Sequence, residues 1–160
     1  MKEKGPSADS ELQLVIFRLG SEEFGVEITK VKEIIRMQEI TRVPKAPPFL
    51  EGVINLRGKI IPVVDLRKRL GWQAADLDHK ARIIVLENQR DLIGFIVDAV
   101  TEVLRVPEQT SELPGTLATN VNQRLITAIG IVGDRLIILL DMDHLLSIGE
   151  KKALQETVSA

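Results

Sequence analysis

The sequence predicts a mainly β fold in which two small five-stranded barrels lie side by side, with short helices and a C-terminal helix around them. Three observations lead there. Apolar residues make up 44% of the 160-residue chain, yet only 3% are aromatic, four Phe and one Trp with no Tyr. The core is therefore expected to be aliphatic, and the many Val and Ile favour pleated sheet. Short apolar runs are separated by Gly, Pro, Asn and Asp, as in hairpins. The layout also occurs twice: a shift of 69 residues places FGVEITKVKEII on IGFIVDAVTEVL, with Gly25 on Gly94, Val31 on Val100, Glu33 on Glu102 and Ile34 on Val103.

Taken in order, residues 1–10 (MKEKGPSADS) read as a loose leader. LQLVIFRLG (12–20) is a strand closing at Gly20, SEE is a solvated acidic turn carrying Glu22 and Glu23, and FGVEI (24–28) is the return strand. TKVKEII (29–35) has the spacing of a short helix, with Val31, Ile34 and Ile35 on one side and Thr29 as its cap. Pro44, Pro47 and Pro48 break the stretch 39–52, which reads as an edge strand over 39–43, a turn, and one helical turn near 48–51. A hairpin follows in GVINLRGKIIPVVDLR (52–67), then an amphipathic LRKRLG ending at Gly71 and a connector over 72–80.

The second half repeats these parts: ARIIVLEN (81–88), a turn at QRD, LIGFIV (92–97) and DAVTEVLRV (98–106). Residues 107–124 are turn-rich, and LITAIGIV (125–132), a GDR turn and LIILLD (136–141) close the second hairpin. Gly58 matches Gly133 at an offset of 75 and Asp65 matches Asp141 at 76, which predicts a second turn one residue longer. The expected unit spans 11–148, with barrels of approximately 11–75 and 76–148 and exchange of terminal segments between them allowed. Residues 149–160 are a helix or tail.

The composition weighs against several functions. The formal charge is −2, from 21 basic and 23 acidic residues, with no long basic run, so the electrostatic footprint of nucleic-acid binding is missing. No cysteine is present, so no thiolate or disulfide chemistry is available. No apolar run is long enough to cross a bilayer, and a cytoplasmic protein is expected. His79 and His144 have no second ligand at metal spacing, and DMDH (141–144) lacks the glycine and downstream glutamate of a calcium loop. Asp141 instead matches Asp65 as a helix cap. Ser10, Ser21 and Ser111 have no base beside them, and there is no P-loop or GxGxxG. The expectation is a binding module with no catalytic residue, metal or cofactor.

EGVINLRGKIIPVVDLR, preceded by ITRVPKAPPFL, closely resembles the signature of the CheW family, the adaptors of bacterial chemotaxis arrays. The resemblance extends through LVIFRLGSEEFGVEITKVKEII and GDRLIILLDMDHLL, covering about residues 11–148. It implies two SH3-like five-stranded barrels and a non-catalytic role. Such an adaptor couples the cytoplasmic tips of methyl-accepting chemoreceptors to the regulatory domain of the histidine kinase CheA, and it is recruited to membrane-associated receptor arrays. The alternative within this class is a coupling module of another kinase pathway, serving surface motility or development. A metal-dependent enzyme and an RNA-binding small barrel are the other classes, testable by elemental analysis and by salt-dependent retention on nucleic acid.

A receptor tip is a helical hairpin, which calls for an apolar groove. The repeat places Val31 and Val100 at equivalent positions, and the expected groove walls are Val15, Ile28, Val31, Ile34 and Val100. Arg57 carries a rigid charged fork, with Glu33 as its expected partner at the groove rim. The kinase contact is expected along Ile40, Thr41, Arg42 and Val43, an edge segment stopped by Pro44. Gly52 and Gly58 are expected to serve backbone geometry near these surfaces.

Overall fold

The computed structural model describes residues 11–72, 76–88, 91–107 and 126–141. The opening hairpin is β1 (Glu11–Leu19) and β2 (Glu22–Glu27), and one turn of 3-10 helix (Ile28–Lys30) leads into β3 (Val31–Arg36). A strap over 37–49 precedes the hairpin of β4 (Leu50–Leu56) and β5 (Lys59–Asp65), which is followed by the short helix α1 (Leu66–Arg69). The second repeat supplies β6 (Arg82–Asn88), β7 (Asp91–Val97), β8 (Ala99–Pro107), β9 (Ile126–Val132) and β10 (Arg135–Leu140). The leader, residues 108–125, His144 and the expected C-terminal helix lie outside the described residues.

Two five-stranded sheets form, in the orders β8-β1-β2-β10-β9 and β3-β6-β7-β5-β4. The repeat equates β1 to β5 with β6 to β10, so the two orders are one topology used twice. Each sheet joins the first two strands of one repeat to the last three of the other. The expected boundary near residue 75 thus divides repeats rather than sheets. One SH3-like barrel is contiguous, β3 to β7; the other is assembled from β1 and β2 with β8 to β10. The chain crosses between them twice, at Ile28–Lys30 and at Asp98.

Strand pleating accounts for the apolar runs. β1 sends Leu14 and Ile16 into the terminal barrel, while Val15, Phe17 and Leu19 enter a separate cluster between the barrels. β6 does the same, with Ile83 and Val85 inside the central barrel and Ile84 and Leu86 at the junction. Strands buried on both faces read as continuous hydrophobic stretches instead of alternating ones. All the aromatic residues are at the junction: Phe17, Phe24 and Phe95 within its core, Phe49 and Trp72 packed against it. Phe17 and Phe24 stack at 5.9 Å, and Trp72 tilts against Phe24 at 5.8 Å. The barrel interiors hold only aliphatic side chains among their buried residues, since small barrels leave little room for rings.

Five local expectations are corrected. Residues 31–36 are a strand, not a helix, and only Ile28–Lys30 is helical. The cause is a bulge: Val31 pairs with Leu86 and Glu33 with Val85, so Lys32 is an extra residue. The bulge brings Val31 and Ile34 to one face at a three-residue spacing, which in sequence is the spacing of a helix. The first turn is at Gly20 and Ser21, and Glu22 and Glu23 already belong to β2, opposite Leu19 and Arg18. The expected edge strand over 39–43 is a single bridge, Thr41 to Val53, and residues 47–50 form a turn rather than a helical one, with Leu50 N–H donating to the Pro47 carbonyl at 3.0 Å. Finally, Leu56 pairs with Lys59 and Val132 with Arg135, so both later hairpins close over two residues at a constant offset of 76.

Candidate functional site

The same bulge recurs in the second repeat. Val100 pairs with Phe17 and Glu102 with Ile16, leaving Thr101, the repeat equivalent of Lys32, as the extra residue. Beyond each bulge, Ile34 lies opposite Ile84 and Val103 opposite Val15. Cross-strand partners share a face, and Ile84 and Val15 belong to the junction core. Ile34 and Val103 therefore project on the junction side of β3 and β8, and they remain 38% and 49% exposed. Ile28, Val31 and Val100 are half-buried against the same core.

The result is an apolar strip on the strand that follows each crossing, Val31 to Ile34 on β3 and Val100 to Val103 on β8. Of the residues expected to form a groove, Ile28, Val31, Ile34 and Val100 offer surface here. Val15 is buried to 1% exposure and serves as floor. Val103 was not singled out as a wall, although its match to Ile34 in the repeat was the available signal.

Glu33 and Glu102, one residue before these exposed side chains, point to the other face, opposite Val85 and Ile16 of the barrel interiors. Arg57 Nη1 and Nη2 donate to Glu33 Oε2 and Oε1 at 2.6 and 2.9 Å, a bidentate pair joining β3 to the turn after β4. These are the two edge strands of the central barrel. The hydrogen bonds from Arg57 hold the Glu33 carboxyl below the usual carboxylate range. The turn aims Arg57 at its partner: Arg57 has φ 52° and Gly58 φ 86°, as in a type I′ turn. The Asn55 side-chain oxygen accepts from Gly58 N–H at 2.9 Å. A left-handed arginine is a strained choice, and Gly58 carries the other positive φ without a steric penalty.

The terminal barrel has its own clasp. Arg135 Nε and Nη2 donate to Glu23 at 3.0 and 2.7 Å, and Nη2 also reaches Glu102 at 2.7 Å. The hydrogen bond from Arg135 lowers the Glu23 carboxyl. Glu102 is the equivalent of Glu33, but the arginine comes from two positions further along the hairpin, where the first repeat has Lys59. Glu23, expected to be a solvated turn residue, is thus half-buried and paired, and nothing in the sequence marked Arg135 as its partner because the two come from distant segments. The two clasps differ at the surface: the Arg57 side chain is 71% exposed, that of Arg135 34%.

The strap carries the other expected contact. Thr41 exchanges two backbone hydrogen bonds with Val53, each 2.9 Å. A Cβ on Gly52 would stand 2.3 Å from the Thr41 carbonyl oxygen, so glycine is required for this approach. Ile40 packs toward the central barrel interior, Val43 is half-buried, and Thr41 and Arg42 face solvent. Among the described residues there is no group of three His, Asp or Glu side chains placed to hold a metal ion, and no helix is long and apolar enough to cross a membrane.

Comparison with known proteins places the chain in a family. Residues 13–150 match the CheW-like domain. The chain is 36% identical over 147 residues to the chemotaxis protein CheW of Klebsiella aerogenes, covering 92% of this chain and 88% of that protein. It is likewise 36% identical over 140 residues to the CheW of Thermotoga maritima, covering 85% and 88% of the two chains. The crystal structure of the scaffolding protein TtCheW from Thermoanaerobacter tengcongensis is similar with a TM-score of 0.79 at 37% identity, covering 87% of this chain and 94% of that one.

Proposed function

Because the chain belongs to the CheW family of chemotaxis scaffolds, we propose that it couples the cytoplasmic tips of methyl-accepting chemoreceptors to the histidine kinase CheA. The observation that carries the receptor side of this reading is the pair of exposed aliphatics, Ile34 and Val103, on the junction faces of β3 and β8. An amphipathic helix buries its apolar stripe in such a surface, anchored by a few side chains one turn apart. Val31 and Val100 deepen the strip, Ile28 extends it, and Val15 supports it from below. Arg57, held by Glu33 on the face of β3 opposite Ile34, presents a fixed cation to a carboxylate of the partner.

The kinase regulatory domain docks on the strap, with Arg42 and Thr41 outward and Ile40 and Val43 anchored beneath. The role is mechanical: the protein binds and orients, and no bond is made or broken. It works in the cytoplasm and reaches the membrane only through the receptor array. The test is a pull-down from purified components, this protein with a CheA regulatory domain and a receptor cytoplasmic fragment, both from the same organism. The wild type should bridge the two, and Arg57→Ala, still folded at the assay temperature, should bridge them poorly. A wild-type protein that recovers neither partner would end the reading.

A further inference from the structure

A buried ion network lies at one of the two crossings between barrels, outside the apolar strip. Arg67, on α1, is only 6% exposed. Its Nε and Nη2 donate to the carboxylate of Asp65, the cap of the same helix, at 3.2 and 3.0 Å. Asp65 also accepts from the Arg67 backbone N–H at 3.0 Å. The remaining arm, Nη1, reaches Asp98 Oδ1 at 3.1 Å.

Asp98 is the residue at which the chain leaves the central barrel, after β7, for the terminal barrel and β8. Its second oxygen accepts from Gly20 N–H at 2.6 Å, and its own N–H donates to the Arg18 carbonyl at 3.0 Å. Gly20 is in the β1–β2 turn, so Asp98 is tied to both barrels at once, and two residues later the chain supplies Val100.

Stability alone is a poor reason for this arrangement. Burying an ion pair costs desolvation that apolar packing of the same volume avoids, and such replacements are often neutral or stabilising. What charged, directional bonds supply is a defined geometry. By the repeat, Asp98 corresponds to Thr29 and Arg67 to Asp143, so the sequence does not carry the same arginine–aspartate pair in the other repeat.

We propose that Arg67 is a positioning residue for the groove: through Asp98 it sets the angle at which β8 enters the terminal barrel, and so the spacing between the β8 wall and the β3 wall. Its consequence for receptor binding rests on the reading given above, whereas its effect on barrel orientation does not. The β8 wall, with Val100 and Val103, is the pinned side of the groove, and a partner helix is selected for the width that Arg67 holds.

The test uses Asp98→Asn in the full chain. Asparagine keeps an acceptor for Gly20 N–H but removes the carboxylate that faces Arg67. Arg67→Lys is the second variant, retaining charge without the fork that spans both carboxylates. Inter-barrel orientation is read from residual dipolar couplings of amides in the two barrels. Affinities are read by titration with a receptor cytoplasmic fragment and, separately, with a CheA regulatory domain. Both variants should rotate the barrels relative to each other, weaken the receptor fragment about 5- to 10-fold, and leave the kinase domain within about twofold. An unchanged orientation, or an equal loss of both affinities, overturns the proposal. A changed orientation in variants whose wild type binds no receptor fragment supports the role of Arg67 and rejects the receptor reading instead.

Discussion

Replacing Ile34 and Val103 by threonine separates a binding surface from an ordinary core edge. Threonine keeps the β-branched shape that suits both strands, while each new hydroxyl can reach solvent in the free protein. Fully burying an aliphatic side chain is worth roughly 1.5–3 kcal/mol. Covering the exposed 38% of Ile34 and 49% of Val103 therefore contributes about 1 kcal/mol at each, and in the variants desolvation of the hydroxyl offsets what the retained methyl keeps. A loss of about 2 kcal/mol in the double variant corresponds to a roughly 30-fold higher Kd, with about 5-fold from each substitution alone. The assay is fluorescence anisotropy of a labelled receptor cytoplasmic fragment titrated with each variant, alongside thermal melts and titration of the CheA regulatory domain. The reasoning is refuted if the double variant binds the receptor fragment like wild type. It is equally refuted if both partners weaken in step with a fall in melting temperature, because the side chains would then be core.

Three further outcomes follow from the same geometry. At Gly94 a Cβ would lie 2.8 Å from Cγ2 of Ile83, a stiff branch next to the backbone, whereas at its repeat equivalent Gly25 the nearest side-chain atoms are 3.2–3.3 Å away. Gly94→Ala should cost about 2 kcal/mol, roughly 5 °C in melting temperature, and Gly25→Ala clearly less; equal melts would show that the barrel interiors yield alike. Gly52→Ala should push the strap off β4, by about 1–3 kcal/mol, and speed hydrogen exchange at the Thr41 and Val53 amides; retained protection there would contradict the close approach.

Acid should release the central clasp. The Glu33 carboxyl is lowered in the folded protein by the hydrogen bonds from Arg57, so as pH falls the unfolded chain takes up the proton first. Its stabilising contribution is complete above the ordinary carboxylate range and is lost as pH falls through the depressed folded value. The melting-temperature difference between wild type and Glu33→Gln should hold steady above the ordinary carboxylate range and shrink as pH falls below it. A difference that widens in acid would reverse the sign and sink the account.

Much of this molecule is legible in one dimension. The apolar runs and their Gly and Asp turns mark nearly every strand, because a strand buried on both faces must be apolar throughout and its turns need residues that tolerate them. The repeat is visible because equivalent strands meet equivalent surroundings: Gly25 and Gly94 each leave room inside a barrel, and Val31 and Val100 each face the junction. The partnership of Glu33 with Arg57 could be proposed from charge and from the place of Glu33 beside Val31, though with Glu33 on the wrong kind of element. Tertiary structure decided the rest. Val31 to Arg36 became a strand because β6 offered a row of backbone partners, and a bulge at Lys32 disguised its period as that of a helix. Which hairpin joins which barrel was settled by pairings between residues far apart in the chain, and local pattern carries no register for those. The Arg135 clasp and the Arg67 tie exist only because those pairings bring Glu23, Glu102 and Asp98 within hydrogen-bonding distance of arginines that the sequence keeps 31 to 112 positions away.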